Sequence, residues 1–597
     1  SDDTDDTSPP DADHDGTPDA LDCAPSDASV HPGASETCDG LDNDCDPGTP
    51  DADGTVAWLP ASGAPMDLTQ AFPGFPVALQ TFTTPGDGTL QFCGGIFGGA
   101  VVVGAGQAVT IRGVRPGTYL SALALGRAVT VGAGSHVVVE DLGLSGGISG
   151  GNVEGGALYV QSDASAVLRR VVVSNSYGAP APGLETAGAL YVAFGGSLAL
   201  EDSQVIQSPS ILTANGATVT MDRVVLADGY LGAISGTLVV RDAEIHDVGT
   251  GWTRLGDVDA TLERVSVRNL GRSGQVPAEP ALFRANSGPV VLRDVTFSHV
   301  TGVLGAFSSA ELERVQVEDL TATDTVLSTS VGLTMSEVSL VAVNTTGGNV
   351  VNGRTSSTLG SVTVEEASAR GSIVELNGAQ ATVTDSSFTA CHGGVGNGGG
   401  ALAAVTASTT IARAVFQDNT SDSRGGALLI GPFIGGQFGT AAISATEFIG
   451  NRSLGLGGAG AGEGGAVYAA WSSVTFEDCT FDGNDAAGAG GAIYAERDAT
   501  FSGGTFTDNA AGTWGGAIAN RLSWGIPGSL TGVTIWRNAS ASGGAIGWMP
   551  GIPYVLADVS MGEGADDNTP ADAGTDTVSY PVEIGDHYSG TCTNTCP

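Results

Sequence analysis

The chain has 597 residues with 22 basic and 65 acidic side chains, a formal charge of −43, and every base is Arg, because no Lys occurs. That balance disfavours nucleic acid and anionic membranes as partners. Only 15% of residues are charged and 92 are Gly, about twice the usual share, so turns that need φ > 0 are frequent and a helical bundle is excluded. No apolar run is long enough to cross a bilayer as a helix. A start at Ser1, with neither Met nor a hydrophobic leader, reads as a processed, exported form. The eight cysteines fit a secreted, extracellular or cell-surface setting.

Residues 1–54 hold sixteen Asp, one Glu and no Arg. With almost no large apolar side chains, this head cannot offset its chain entropy by burial and requires cross-links or metal to be ordered. The run Asp11-x-Asp13-x-Asp15-Gly16-Thr17-x-Asp19-x-x-Asp22 places carboxylates at loop positions 1, 3, 5, 9 and 12. Gly stands at position 6 and the Thr17 carbonyl is available at 7, the oxygen-cage spacing of a twelve-residue calcium loop. Asp42-x-Asp44-x-Asp46, followed by Asp53, repeats the logic less completely, with Asp39 and Asp51 as further candidate ligands. Hard carboxylate oxygens favour calcium over zinc or copper, since His14 and His31 are too few. Cys23, Cys38 and Cys45 lie among these acids, and Cys592 and Cys596 near the other end of the chain. All five are disulfide candidates whose connectivity the sequence leaves open.

The stretch Asp22-Cys23, then Pro32-Gly33-Ala34-Ser35-Glu36-Thr37-Cys38-Asp39-Gly40-Leu41-Asp42-Asn43-Asp44-Cys45-Asp46, resembles the "putative metal-binding motif" of bacterial secreted and surface proteins. That module is in turn similar to the calcium-binding thrombospondin type 3 repeat. The resemblance implies a small, disulfide-clipped, cation-binding module and no catalysis.

Residues 55–87, rich in Pro and apolar side chains, are expected to link the head to the next domain and to cap its exposed amino-terminal edge. From about Val101 to Asn538 a short unit recurs: apolar, two variable, apolar or small, one variable, apolar. Val139-x-x-Leu142-x-Leu144, Leu168-x-x-Val171-x-Val173, Leu292-x-x-Val295-x-Phe297 and Phe476-x-x-Cys479-x-Phe481 are examples. Sixteen such starts are separated by 19 to 33 residues. Alternation at the end of the unit turns one face of a strand inward, and repeats of this length stack into a solenoid. Towards the carboxyl end, Phe416-x-x-Asn419, Phe448-x-x-Asn451, Phe481-x-x-Asn484 and Phe506-x-x-Asn509 are each followed by Gly-Gly-Ala-apolar. Phe is expected to fill the core and Asn to form an amide ladder along the stack.

These units resemble the FxxN and GGA[ILV] repeats of polymorphic outer-membrane proteins and related pectate-lyase-like right-handed β-helices. The implied fold is all-β: a right-handed parallel β-helix solenoid over residues 88–549 behind the small acidic metal-ordered segment, with a carboxyl-terminal cap over 550–597. Some β-helices of this superfamily cleave polysaccharides. Here Arg is scattered along the sequence, and Asp202, Asp222, Asp242 and Asp294 fall at outward positions that read as a solvated face. His246 and His299 read as surface histidines, and Trp514, Trp524, Trp536 and Trp548 as an exposed cluster or an end cap. No catalytic constellation emerges. The expected function is that of an extracellular calcium-binding structural or adhesive protein, with copies of itself or surface glycans as partners. End-to-end assembly into a filament follows from the shape of a solenoid with two ends. A polysaccharide lyase or hydrolase, or a passive glycan-binding module, is the alternative.

Overall fold

A computed structural model describes residues 10–37, 41–49, 54–72, 80–122, 126–145, 155–176, 188–208, 210–271, 281–284, 288–395, 398–431, 438–458, 462–521, 528–542, 544–548 and 554–562, with shorter stretches up to 592. Among the described residues there is no α-helix. The chain divides into two compact units, Ser1–Val258 and Asp259–Pro597. Each is a stack of coils built from short parallel strands, which makes the fold a parallel β-helix.

In unit 1, β1 (Thr55–Pro60) runs antiparallel to both β2 (Met66–Asp67) and β4 (Gly88–Cys93), whereas β3 (Thr81–Thr83) already pairs in parallel with Ala100–Val103. Beyond this start the early coils contribute three strands each, whereas later ones run strands together, as in Ser210–Asp222 and Tyr230–His246. Leu158–Val160, Ser165–Arg169 and Val172–Ser174 form one coil, and Leu190–Val192, Ser197–Glu201 and Gln204–Ile206 form the next. The apolar positions of the repeat stand in register: Val139 opposite Leu168 opposite Leu200, and Leu144 opposite Val173 opposite Val205. All six side chains are buried.

The second variable position of the unit has a conformational cause. Asp141, Arg170, Asp202 and Arg223 all adopt φ between 50° and 53°. One left-handed residue between two strands breaks the alternation, so Leu168 and Val171 both point inward although two residues separate them. The strain, about 1 kcal/mol per residue, is offset by backbone pairing: the N–H groups of Asp141, Arg170 and Asp202 donate to Arg169, Glu201 and Asp222 of the next coil at 3.1, 3.0 and 3.0 Å. Stacking then brings unlike charges together. The Arg170 guanidinium grips Asp141 bidentately at 2.6 and 2.7 Å, and Arg223 grips Asp202.

Unit 2 repeats the device, with Arg314 on Asp294, Arg413 on Asp385 and Arg537 on Asp508. These pairs correct the expectation of scattered Arg and a merely solvated acidic face for Asp202 and Asp294. They also account for Arg in place of Lys, because only a planar fork meets a carboxylate at two points. Hydrogen bonds from Arg are the leading reason that the carboxyls of Asp141, Asp202, Asp294, Asp385 and Asp508 lie below the ordinary range.

The interior of unit 2 is ordered by two columns. Phe388, Phe416, Phe448, Phe481 and Phe506 stack with centroids 5.0, 5.0, 4.8 and 4.6 Å apart and planes within 6°. Asn419, Asn451, Asn484, Asn509, Asn538 and Asn568 form a buried amide ladder. Each of the middle members donates Nδ2 to a Phe carbonyl of the preceding coil and to Oδ1 of the next Asn, as Asn484 does with Phe448 and Asn509 at 2.9 Å each. The Gly-Gly-Ala turns supply the bend. At Gly490, with φ +72°, a Cβ would lie 2.2 Å from the Ile493 carbonyl oxygen. Trp548 is 1% exposed and belongs to the core, against the expectation of an exposed aromatic cluster. Tyr554–Met561 continues the parallel stack and pairs antiparallel with His587–Cys592.

Asn484→Ala would leave the Phe448 carbonyl and the Asn451 donors buried without partners. A loss of roughly 2 to 4 kcal/mol is expected, from about 1 to 3 kcal/mol per stranded group. Arg413→Ala, at an exposed and solvent-screened pair, is expected to cost much less. Denaturant midpoints of the two variants test this order, and equal losses would show that the ladder is not the stronger tie.

Candidate metal centre

The described head has no regular strands, and its turns are made by carboxylates. Asp11 accepts the N–H groups of His14 and Gly16 at 2.8 and 3.0 Å, and Asp15 accepts that of Thr17 at 2.6 Å. These side-chain-to-backbone turns curl the loop until oxygens of Asp11, Asp13 and Asp15 lie within 4.8 Å of one another. Oδ2 of Asp13, of Asp15 and of Asp22 is buried without a hydrogen-bond partner. Buried carboxylate oxygens are ordinarily paired, so this loop presents acceptors with no donor of the chain on them, which a cation can satisfy.

The Asp13 carboxyl is pushed above its ordinary value by desolvation, against the pull of the Asp15 N–H, and further by the charges of Asp15, Asp22 and Asp11. Asp19 is engaged elsewhere, with Oδ1 accepting the Ala12 N–H at 2.8 Å. That bond closes the turn, and Asp19 is not part of the three-oxygen group.

A second group gathers Glu36, Asp42 and Asp44 within 4.8 Å. Glu36 Oε1 accepts the Asp44 N–H at 2.9 Å, and its Oε2 is buried without a partner. Asn43, 1% exposed, holds the loop by accepting the Thr37 N–H and hydroxyl at 2.9 and 3.1 Å. Asp46 caps a local turn through Gly48 at 2.9 Å and stands outside the group. Asp39, Asp51, Asp53, Cys38 and Cys596 lie outside the described residues, as does the side chain of Cys592. Glu36 escaped the sequence-based ligand set because it lies six residues before Asp42, off the calcium-loop register; the fold of the loop brings it back.

Cys23 and Cys45 form a disulfide with Cα atoms 5.8 Å apart. Their sulfurs lie near Asp22 but, once joined, offer no thiolate to a metal. Cys93, not among the expected cross-links, is also disulfide-bonded. Cys391 and Cys479 are free and buried, and burial pushes both thiols up, to about 12 and about 11, which leaves them inert near neutrality.

Unit 2 holds a second polar cluster that the sequence did not reveal. Arg424 lies 2.9 Å from Glu463 and donates to the Tyr468 hydroxyl at 3.0 Å, which in turn donates to Glu496 at 2.6 Å. Tyr468 stacks on Tyr494 at 5.5 Å, and Trp514 meets Tyr494 edge-on. Desolvation, opposed by Arg424, raises the Glu463 carboxyl. These residues come together because the Gly-Gly-Ala strands Val467–Ala469 and Ile493–Ala495 stack in register. Of the histidines considered as bases, His246 contacts its neighbour Asp247 at 2.8 Å and His299 lies 3.8 Å from Asp319. Neither faces a second reactive group in these contacts.

Comparison with known proteins agrees with both halves. Residues 22–51 match a family model described as "Putative metal-binding motif", whose short name refers to copper. Residues 478–496 match the Chlamydia polymorphic membrane protein repeat. No curated protein is similar enough to match. Among solved structures, a PL6 family alginate lyase shares 10% identity over 84% of this chain and 97% of its own, with a TM-score of 0.26. At that score the likeness carries no argument about substrate or mechanism. The class defined by fold and site is a parallel β-helix that carries a metal-binding motif at its amino-terminal end.

Because the Asp13 carboxyl is raised, the cation-free head gains most from protonation at low pH and loses that stabilisation as pH rises through the group's folded pKa. A cation takes the proton's place above that point and competes with it below. A divalent cation is therefore expected to raise the head's resistance to proteolysis markedly at pH 7 and little at pH 4, as followed by limited digestion at both values. Equal protection at the two pH values would remove Asp13 from the site.

Proposed function

We propose that this is an extracellular, calcium-binding structural or adhesive β-helix protein whose head is ordered by cations. The observation that carries the reading is the set of buried, unpartnered oxygens on Asp13, Asp15 and Glu36, which belong to two groups of three carboxylates, with a further such oxygen on Asp22 beside the Cys23–Cys45 disulfide. The donor set favours calcium over copper: it is all oxygen, Cys23 and Cys45 are consumed by their disulfide, and His14 Nδ1 contacts the Asp11 carbonyl at 2.8 Å. Disulfides, and the absence among the described residues of a helix long and apolar enough to span a membrane, are consistent with an extracellular or surface location. Partners are copies of the chain or surface glycans. Antiparallel β1 covers Gly88–Cys93 in unit 1, and His587–Cys592 covers Tyr554–Met561 in unit 2, and filament growth through the acidic head is the route this reading favours.

A second reading, a polysaccharide-active or glycan-binding protein, is favoured by the Arg424–Glu463–Tyr468–Glu496 cluster. Paired carboxyls with one raised suit acid–base chemistry on a sugar.

Calorimetric titration with calcium, with copper as the competing metal and light scattering on the same samples, tests the first reading. Binding is expected for calcium, with at least a tenfold loss in Asp13→Asn/Asp15→Asn, and growth into elongated particles marks self-assembly. Copper binding without calcium binding would overturn the calcium assignment. Release of reducing or unsaturated sugars from a polysaccharide panel, lost in Glu463→Gln, would establish the second reading.

A further inference from the structure

One coil of unit 1 departs from the repeat that its neighbours keep. Two residues join the corresponding strands in the next three coils, Asp141-Leu142, Arg170-Val171 and Asp202-Ser203, whereas five, Val114–Thr118, join Ala108–Gly113 to Tyr119–Ser121. The longer link is firmly held. The Val114 N–H donates to the Phe92 carbonyl at 2.9 Å, the buried Thr118 hydroxyl donates to the Arg115 carbonyl at 2.8 Å, and Gly117 turns the chain at φ +82°. Insertions in stacked repeats gather on one face, which is often the binding face. Here the insertion encloses a cavity of about 340 Å³ against the two coils that follow, lined by Arg115, Tyr119, Asp141, Leu142, Arg170 and Val172 among others, a volume within the range of small-ligand sites. Tyr119 stands opposite Gly143, where a Cβ would come 2.0 Å from the ring, while the next coil carries Val172 at that position. Glycine at 143 therefore gives the ring its place in the wall. Asp141 and Arg170 together carry more acceptors and donors than the two bonds between them consume.

We propose that this cavity binds one neutral pyranose unit of a glycan, its C–H face on Tyr119 and two neighbouring hydroxyls on the Asp141–Arg170 pair. A sugar ring has an apolar face and a rim of hydroxyls that both donate and accept. The cavity matches the two: Tyr119, Leu142 and Val172 supply apolar wall, and an aspartate beside an arginine supplies an acceptor next to a donor. Charge selects against acidic glycans, because the charges of Asp141 and Arg170 offset each other and the chain as a whole carries −43. The site gives the glycan partner named above a place on the molecule and rests on that partner. It uses no residue of the Arg424 cluster and needs no cation.

Calorimetric titration of the full chain with neutral oligosaccharides (linear glucans, mannans and galactans), and with oligouronates as the charged comparison, tests the site. At least one neutral member is expected to bind, with affinity unchanged when calcium is chelated. Tyr119→Ala and Asp141→Ala are expected to weaken that binding at least tenfold, and Tyr119→Phe to keep it. Val172→Trp, at a partly exposed strand position, fills the cavity without removing a wall and is expected to abolish binding, which keeps the test decisive where Tyr119→Ala fails to fold. Absence of binding by every neutral member, or binding that Val172→Trp and Asp141→Ala leave unchanged, would overturn the site. Binding of oligouronates alone would overturn the neutral assignment. Binding lost in Glu463→Gln but kept in the unit 1 variants would overturn this site and move the glycan to the Arg424 cluster, so that the second reading above survives.

Discussion

Everything in the two coil stacks depends on one constraint, the in-register backbone pairing of each strand with its counterpart one coil further on. Coils lie about 4.8 Å apart, so a side chain has no choice of neighbour and must meet whatever occupies the same position above and below. Identical residues become columns, as with the phenylalanines and asparagines of unit 2, and opposite charges become pairs, as with Asp141 and Arg170. The spacing suits all three devices. Aromatic rings stack near 5 Å, an amide reaches the next amide at 2.9 Å, and a guanidinium spans one coil to a carboxylate.

The same constraint accounts for the division of labour between interior and surface. Inside, a missing ladder partner strands a buried polar group, so Asn419 to Asn568 form a column in which each member needs the next. Outside, each Arg–Asp pair is half solvated and contributes little by itself. Its value lies in register, because a one-coil slip would set Asp against Asp and Arg against Arg. In the paired coils the left-handed residue before the short strand belongs to this system, since it carries the charged side chain, as Asp141 and Arg170 do, and its N–H continues the ladder.

The head obeys different physics. Among its described residues there are no strands and few buried side chains, Val30 and Asn43 among them, and its turns are closed by carboxylates accepting N–H groups. That leaves several carboxylate oxygens crowded and unpaired, a state unfavourable without a counter-charge. A bound cation would supply that charge, and the Cys23–Cys45 disulfide reduces the freedom that ordering must remove. Under the function proposed above, cation binding and ordering of the head are coupled.

Fold class was legible in the sequence because a repeating unit forces a repeating structure. Leu168-x-x-Val171-x-Val173 has the same meaning wherever it recurs, and Phe-x-x-Asn forecasts both the aromatic stack and the amide ladder. The acidic loop was legible as well, since the Asp11 to Asp15 spacing is local and its turns are made within a few residues. Tertiary structure alone decided what depends on unequal coil lengths. Arg170 meets Asp141 across 29 positions and Arg314 meets Asp294 across 20, so no fixed spacing betrays the pairing. Glu36 joins Asp42 and Asp44 only through the fold of the loop, Glu463 and Glu496 converge only through stacking, and Trp548 is buried because its strand turns it inward. Periodicity along the chain determines which residues face the core; the length of each turn determines which residues meet, and that is set only when the coils close.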